Sequence, residues 1–354
     1  MPENTLIRAL HKILILPVLI FLVSCSSKRN AVENFHTVDK QKLEAAFAAA
    51  GQFSNLKCLI VSQNGSILQE VFYGNSGPDI PHDVRSVTKS VTSLLFGIAK
   101  DKGITGSEEQ TIAPYFRNLY PGLPEDKANI KVRDILTMSG GFTWNEMSNV
   151  SEYNKWITSA NQVKYVLDRP LNSQPGTVFN YNSAALHLLS VIITEASKTP
   201  TQEFARKYLF TPMELSVTNW ETDKQGYNNG GAGLQLTPYD MLKIGELYLN
   251  GGTHKKERIV SAEWISNSIK THISTGNSEP YGTGYGYCWW TGQSSKGNYA
   301  FANGWGGQFI LIVPNLNVVI VATNEWKDIG TSTANAQWSR TMDLIVNHIL
   351  AAFN

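Results

Sequence analysis

The sequence predicts an α+β fold in which one sheet is assembled from segments far apart in the chain and is interrupted by a mostly helical insertion. Three observations carry that reading. Short apolar runs bounded by turn residues cluster at 56–73 and again at 285–323. Stripes of helical period fill the stretch between them, and amphipathic helices stand at both ends, over 39–51 and 334–352. The chain has 354 residues, 42% of them hydrophobic and 17% charged, enough for a full core and unlike a disordered, collagenous or coiled-coil composition.

Each element has its own local cause. Leu43, Phe47 and Ala50 share one side of the first helix. Runs at 56–62 and 67–73 flank Asn64-Gly65, the strongest short hairpin signal. Val87, Val91, Leu94, Leu95 and Ile98 make the stripe of a helix that Ser86 opens. Further helices are expected over 184–197, 201–208 and 238–250, the last with Thr237 as N-cap and Pro238 at the first helical position. Strands follow at 285–290, 298–302, 308–314 and 318–323. The sheet lobe is thus expected at about 36–85 plus 283–354 and the helical lobe at about 86–282, with a cleft between them.

The N-terminus reads as an address. Arg8 and Lys12 precede the apolar run 13–23, too short for a mature membrane span but right for a secretory signal peptide over 1–24. Leu22-Val23-Ser24-Cys25 resembles the lipobox of bacterial lipoproteins, which implies a lipid on Cys25, a tether over 25–35, and a protein held in the bacterial cell envelope. The other reading is an ordinary signal peptide with a chance cysteine. Without Arg8, Lys12 and Glu3 the basic and acidic counts are equal, so charge gives no reason to expect nucleic acid as a partner. No histidine or cysteine spacing suggests a metal, and no cofactor is expected. Cys58 and Cys288 lie in separate strand-like runs and are read as buried free thiols, although spacing alone leaves a pairing open.

Ser86-Val87-Thr88-Lys89 carries the chemistry. Residues three apart share a helix face, so the Lys89 amine can reach the Ser86 hydroxyl. A serine needs a neighbouring base before it attacks a carbonyl, and a lysine that loses its proton through burial can be that base. Ser54-Asn55-Leu56-Lys57 fits the same template, but it leads into a strand, where residues three apart point to opposite faces. The bland reading makes Ser86 an N-cap and Lys89 a solvated first-turn residue. Tyr181, in Tyr181-Asn182-Ser183 just before a helix, is the best candidate for a proton relay, whereas Tyr227 in a Gly/Asn-rich loop stays as an outsider. Asn303-Gly304-Trp305-Gly306-Gly307 enters a strand, and glycines there let backbone approach a ligand; the alternative is a tight hairpin connection. Trp144, Trp289, Trp290 and Trp305 could line the cleft or pack the core.

Together these elements resemble the serine β-lactamase and penicillin-binding-protein superfamily, in its class C-like and esterase branch. Supporting runs are 132–141, Gln174-Pro175-Gly176 and 233–238, and the resemblance covers about 36–354. It implies a β-lactamase/transpeptidase-like fold with a central antiparallel sheet, and an acyl-enzyme on Ser86 with Lys89 and Tyr181 as base and proton relay. It also implies an oxyanion hole of the Ser86 and Trp305 backbone N–H groups, and substrate contacts at Ser183, Gly304 and Trp305. Two departures from class C enzymes bear on the substrate: Ser183 stands for an asparagine, and Ala302-Asn303-Gly304 stands for Lys-Thr-Gly and so lacks the lysine. These departures, with the Gly304–Gln308 run, are similar to 6-aminohexanoate-dimer hydrolases and family VIII-type carboxylesterases. The expected activity is therefore hydrolysis of a small ester or linear amide, with poor action on β-lactams. The alternatives are a β-lactamase or D-amino-acid peptidase, and a non-catalytic binding or sensor module. Oligomeric state has no signature in the sequence.

Overall fold

The computed structural model describes residues 37–277 and 281–354; the expected signal peptide, Cys25 and the expected tether lie outside the described residues. Its sheet has eight strands, in the order Ser66–Phe72, Leu56–Gln63, Val318–Asn324, Gln308–Val313, Gly297–Gly304, Trp290–Ser294, Gly284–Tyr285 and Ile273–Ser274. Every neighbouring pair in it is antiparallel. Segments far apart in the chain meet at its second and third strands, where Ile60 pairs with Val321.

All residues of Gln308–Val313 and Val318–Asn324 are buried, because helices cover both faces. Alternation along one strand shows this: Phe309 meets Trp338 of the helix Thr331–Asp343, ring centroids 5.9 Å apart, whereas Ile310 faces the helix Pro238–Leu249. A Cβ on Gly245 of that helix would lie 2.5 Å from Val319, so the glycine sets how closely the helix seats on the sheet.

The expected strand at 285–290 is a corner instead. Gly286 N–H donates to the Trp289 carbonyl at 2.7 Å and Cys288 takes φ 63°, which splits the run into two short strands. The aromatic and apolar residues that suggested a strand are core residues of a tight turn, with Trp289 against Tyr248 at 4.4 Å. Cys58 and Cys288 are both buried and unpaired.

Candidate active site

Ser86 stands at the N-terminus of the helix Val87–Asp101 and makes no capping bond with its side chain. Every residue from Val87 to Ala99 is buried, so the polar side of this helix faces protein rather than water. Both parts of the bland reading fail on that geometry. Lys89 is 1% exposed, and its Nζ donates to Ser86 Oγ at 2.7 Å and to the Gly231 carbonyl at 2.7 Å. Burial draws the Lys89 ammonium down to about 8, with Arg85 pulling the same way, against the opposing pull of Glu146 and Cys288. The decoy behaves as its strand dictates: Lys57 faces Glu325 at 3.6 Å.

Tyr181 closes the group. It lies on the loop before the helix Ser183–Ser197, which Asn182 caps by accepting the Ala185 N–H at 2.9 Å. The Tyr181 ring stacks on Trp290 at 5.8 Å, and Lys89 Nζ sits 4.9 Å from its centre. Burial and then Glu146 push the phenol up, while the Ser86 hydroxyl pulls it down. The phenol is therefore protonated at neutral pH, and of the two groups beside Ser86 only the amine can give up its proton readily. Tyr227 is not part of this group; its hydroxyl donates to Glu195 at 2.8 Å.

The glycine-rich run is both a hairpin connection and part of the site. Gly304 pairs with Gln308 across the turn, and a Cβ on Gly304 would lie 2.4 Å from the Val84 carbonyl, two residues before Ser86. That close approach brings the backbone of Trp305 to the Ser86 end of the helix. Among the described residues, neither the Ser86 nor the Trp305 backbone N–H donates a hydrogen bond. Arg85 precedes Ser86 with φ 50°, its N–H donating to Asp83 Oδ1 at 2.8 Å and its guanidinium 4.3 Å over Trp326.

Ser183, expected at the substrate, is committed elsewhere. Its N–H donates to Glu146 Oε2 at 2.7 Å and its hydroxyl to Glu146 Oε1 at 2.6 Å, while Trp144 Nε1 donates to Oε2 at 2.6 Å. Glu146 is half-buried and acts on both Lys89 and Tyr181 electrostatically. It was not singled out in the sequence, and neither was Gly231. Trp144 thus anchors a carboxylate, Trp289 and Trp290 pack, and Trp305 is half-buried. Ala302 is fully buried, and Asn303 Oδ1 accepts from Trp338 Nε1 at 2.7 Å, so neither offers a charge to a ligand. Among the described residues no cluster of metal-ligating side chains occurs, and no helix is long and apolar enough to cross a membrane.

This arrangement matches known proteins. The family model described as Beta-lactamase matches residues 41–338. The chain is 24% identical over 292 residues to a 6-aminohexanoate-dimer hydrolase of Paenarthrobacter ureafaciens, covering 77% of this chain and 73% of the relative. Among solved structures it is similar to EstCE1, a hydrolase with promiscuous acyltransferase activity, at TM-score 0.71 and 15% identity, covering 88% of this chain and 98% of that one. The octameric penicillin-binding protein homologue from Pyrococcus abyssi superposes at TM-score 0.66 with 18% identity, covering 88% of this chain and 78% of the other.

Proposed function

Because the chain belongs to the Beta-lactamase family, we propose that it is a serine hydrolase that cleaves an ester or linear amide through an acyl-enzyme on Ser86. One observation carries the reading: a buried lysine, drawn down to about 8, lies 2.7 Å from a serine hydroxyl that caps nothing. At pH 7 roughly a tenth of such a lysine is the free amine, enough for a general base.

Lys89 takes the Ser86 proton as Oγ attacks the substrate carbonyl. The oxyanion is held by the Ser86 and Trp305 N–H groups, a type of contact in which one donor contributes roughly 3–4 kcal/mol. As the carbonyl carbon parts from its leaving oxygen or nitrogen, the proton passes from Lys89 through Tyr181 to that atom. Water then attacks the acyl-enzyme, loses its proton to the same pair, and returns Ser86 to its starting state.

The surroundings favour uncharged or linear substrates over penicillins. Ala302 supplies no cation for a β-lactam carboxylate, and Glu146 adds a negative charge on the same side as Tyr181. A charged hydrogen bond forgone costs about 1.5–3 kcal/mol. The 6-aminohexanoate-dimer hydrolase among its relatives fits that preference. Export and a lipid on Cys25, anchoring the enzyme in the bacterial cell envelope, in the periplasm or at the outer membrane, complete the proposal.

The test uses p-nitrophenyl acetate and butyrate, a fluorophosphonate probe and nitrocefin. Ser86→Ala is expected to abolish ester turnover and labelling, with nitrocefin a poor substrate for the wild type. Full labelling of the Ser86→Ala protein would remove Ser86 as the nucleophile. Nitrocefin turnover with kcat/KM near 10⁷ M⁻¹s⁻¹, roughly the upper range for enzymes, would overturn the substrate preference.

A further inference from the structure

We propose that the buried His187–Asp223 pair is a positioning element for the base: it fixes the Gly230–Gly231 loop, in which the Gly231 carbonyl aims Lys89 at Ser86. This rests on the reading of Ser86 and Lys89 as the reacting pair, and it assigns work to two residues that reaction does not touch.

Geometry gives the chain of contacts. Among the described residues Lys89 Nζ has two hydrogen-bond partners, Ser86 Oγ and the Gly231 carbonyl, each at 2.7 Å. A neutral amine that gives one N–H to that carbonyl has its rotation about Cε–Nζ restricted, which leaves its lone pair free to face the serine proton. The carbonyl therefore decides where the base points. Gly231 has no side chain; its own N–H donates to Asn229 Oδ1 at 2.9 Å, and the loop on its N-terminal side is held through Gly230.

Gly230 N–H donates to His187 Nδ1 at 3.3 Å, and the Gly230 carbonyl accepts from Thr92 Oγ1 at 2.9 Å. An N–H aimed at Nδ1 makes Nε2 the protonated nitrogen, and Nε2 lies 3.1 Å from Asp223 Oδ2. Both side chains are fully buried. Asp223 cannot roll away, because its other oxygen accepts from Gln225 N–H at 2.8 Å and Tyr227 N–H at 2.9 Å. Trp156 packs edge-on against the imidazole at 5.8 Å.

The glycines allow the arrangement. A Cβ on Gly230 would lie 3.0 Å from the Leu186 carbonyl, and one on Gly231 would lie 3.0 Å from the Ser183 carbonyl. The loop is thus pressed between the helix that carries Lys89 and the helix that follows Tyr181. The charged or titratable groups that shift Lys89 are Glu146, Cys288 and Arg85, and His187 is linked to it through the Gly230–Gly231 loop.

Two substitutions separate the two ring nitrogens. His187→Asn places an amide oxygen near the Nδ1 position and keeps the acceptor for Gly230; His187→Gln keeps a donor for Asp223 and loses that acceptor. With Ser86-dependent turnover of p-nitrophenyl acetate as the readout, His187→Gln is expected to lower kcat about tenfold or more with KM little changed. It should also move the acid limb of the rate profile to lower pH, because the carbonyl favours the ammonium. His187→Asn is expected to stay within about threefold of wild type. Equal losses in both variants, or acid limbs unmoved in both, would overturn the proposal in favour of a merely structural pair. A ¹⁵N-lysine titration of Lys89 in both variants reads the same effect without substrate, so its outcome is independent of whether Ser86→Ala retires the parent reading. Should neither variant fold, ¹⁵N histidine spectra of the wild type decide: Nε2–H with a bare Nδ1 supports the assignment, and Nδ1–H refutes it.

Discussion

Replacing Lys89 by methionine should change how stability depends on pH, by an amount the structure fixes. Burial draws the amine from 10.5 in the unfolded chain to about 8 in the folded one. The unfolded state therefore binds more protons between those values, and stability rises with pH across that window. At about 1.4 kcal/mol per pKa unit, wild type carries a penalty of about 3 kcal/mol below pH 8 that is gone above pH 10.5. Lys89→Met has no such group and carries no such penalty. It also leaves the Gly231 carbonyl without its donor, a loss of about 1–3 kcal/mol, so the two proteins should be nearly equal in stability at pH 7. The decisive quantity is the difference between them as pH changes, in which the shared tyrosines largely cancel. Urea denaturation at pH 7, 8, 9 and 10 should show wild type gaining on Lys89→Met by about 2–3 kcal/mol overall. Parallel curves across that range would mean that Lys89 is not buried against its charge, and the argument for it as a neutral base would fall.

Glu146→Gln removes a negative charge that holds the Lys89 pKa up, so the acid limb of kcat/KM should move to lower pH; a limb that stays or rises refutes the coupling. Gln can still accept from the Ser183 and Trp144 N–H groups, whereas Glu146→Ala orphans both and should lose about 1–3 kcal/mol for each in denaturation. Cys25→Ser should abolish incorporation of labelled palmitate and free the protein from the membrane fraction, and persistent labelling would rule out that cysteine as the lipid site.

Much of this frame was legible because its causes are local or periodic. Asn64 and Gly65 take φ of 51° and 73°, the left-handed pair a two-residue hairpin turn needs. Val87, Val91, Leu94, Leu95 and Ile98 are all fully buried, as their stripe predicts. Other features had no such signature. Whether the far side of the helix that Ser86 opens meets water depends on Gly230, Gly231 and Cys288, which come from distant loops and reach it through backbone carbonyls. A carbonyl is present at every residue, so no residue type marks Gly231 as the partner of Lys89. Glu146 looks like an ordinary loop acid until folding sets Ser183 against it. The corner at Cys288 was hidden for a related reason: its residues have the composition of a buried strand, and only the contact of Ser90 Oγ with its carbonyl at 2.6 Å shows what the turn supports.

Those distant loops share a device. Arg85, Met138 and Cys288 are all non-glycine residues with φ between 50° and 63°, a conformation that costs about 1–2 kcal/mol each. Each is held by bonds to a segment that bears a reacting group. Arg85 precedes Ser86 and is tied to Asp83. Met138 accepts the Asn180 N–H with its carbonyl and the Asn182 N–H with its sulfur, one residue to either side of Tyr181. Cys288 donates its N–H to the Leu136 carbonyl and accepts from Ser90, one residue beyond Lys89. Three of the ten non-glycine residues with positive φ among the described residues therefore stand beside the serine, phenol and amine, and the hydrogen bonds that hold them also hold those segments. Relaxing any of the three would ease the local conformation and loosen the site in the same movement, which is why precise placement of the reacting groups and a strained backbone occur together in this fold.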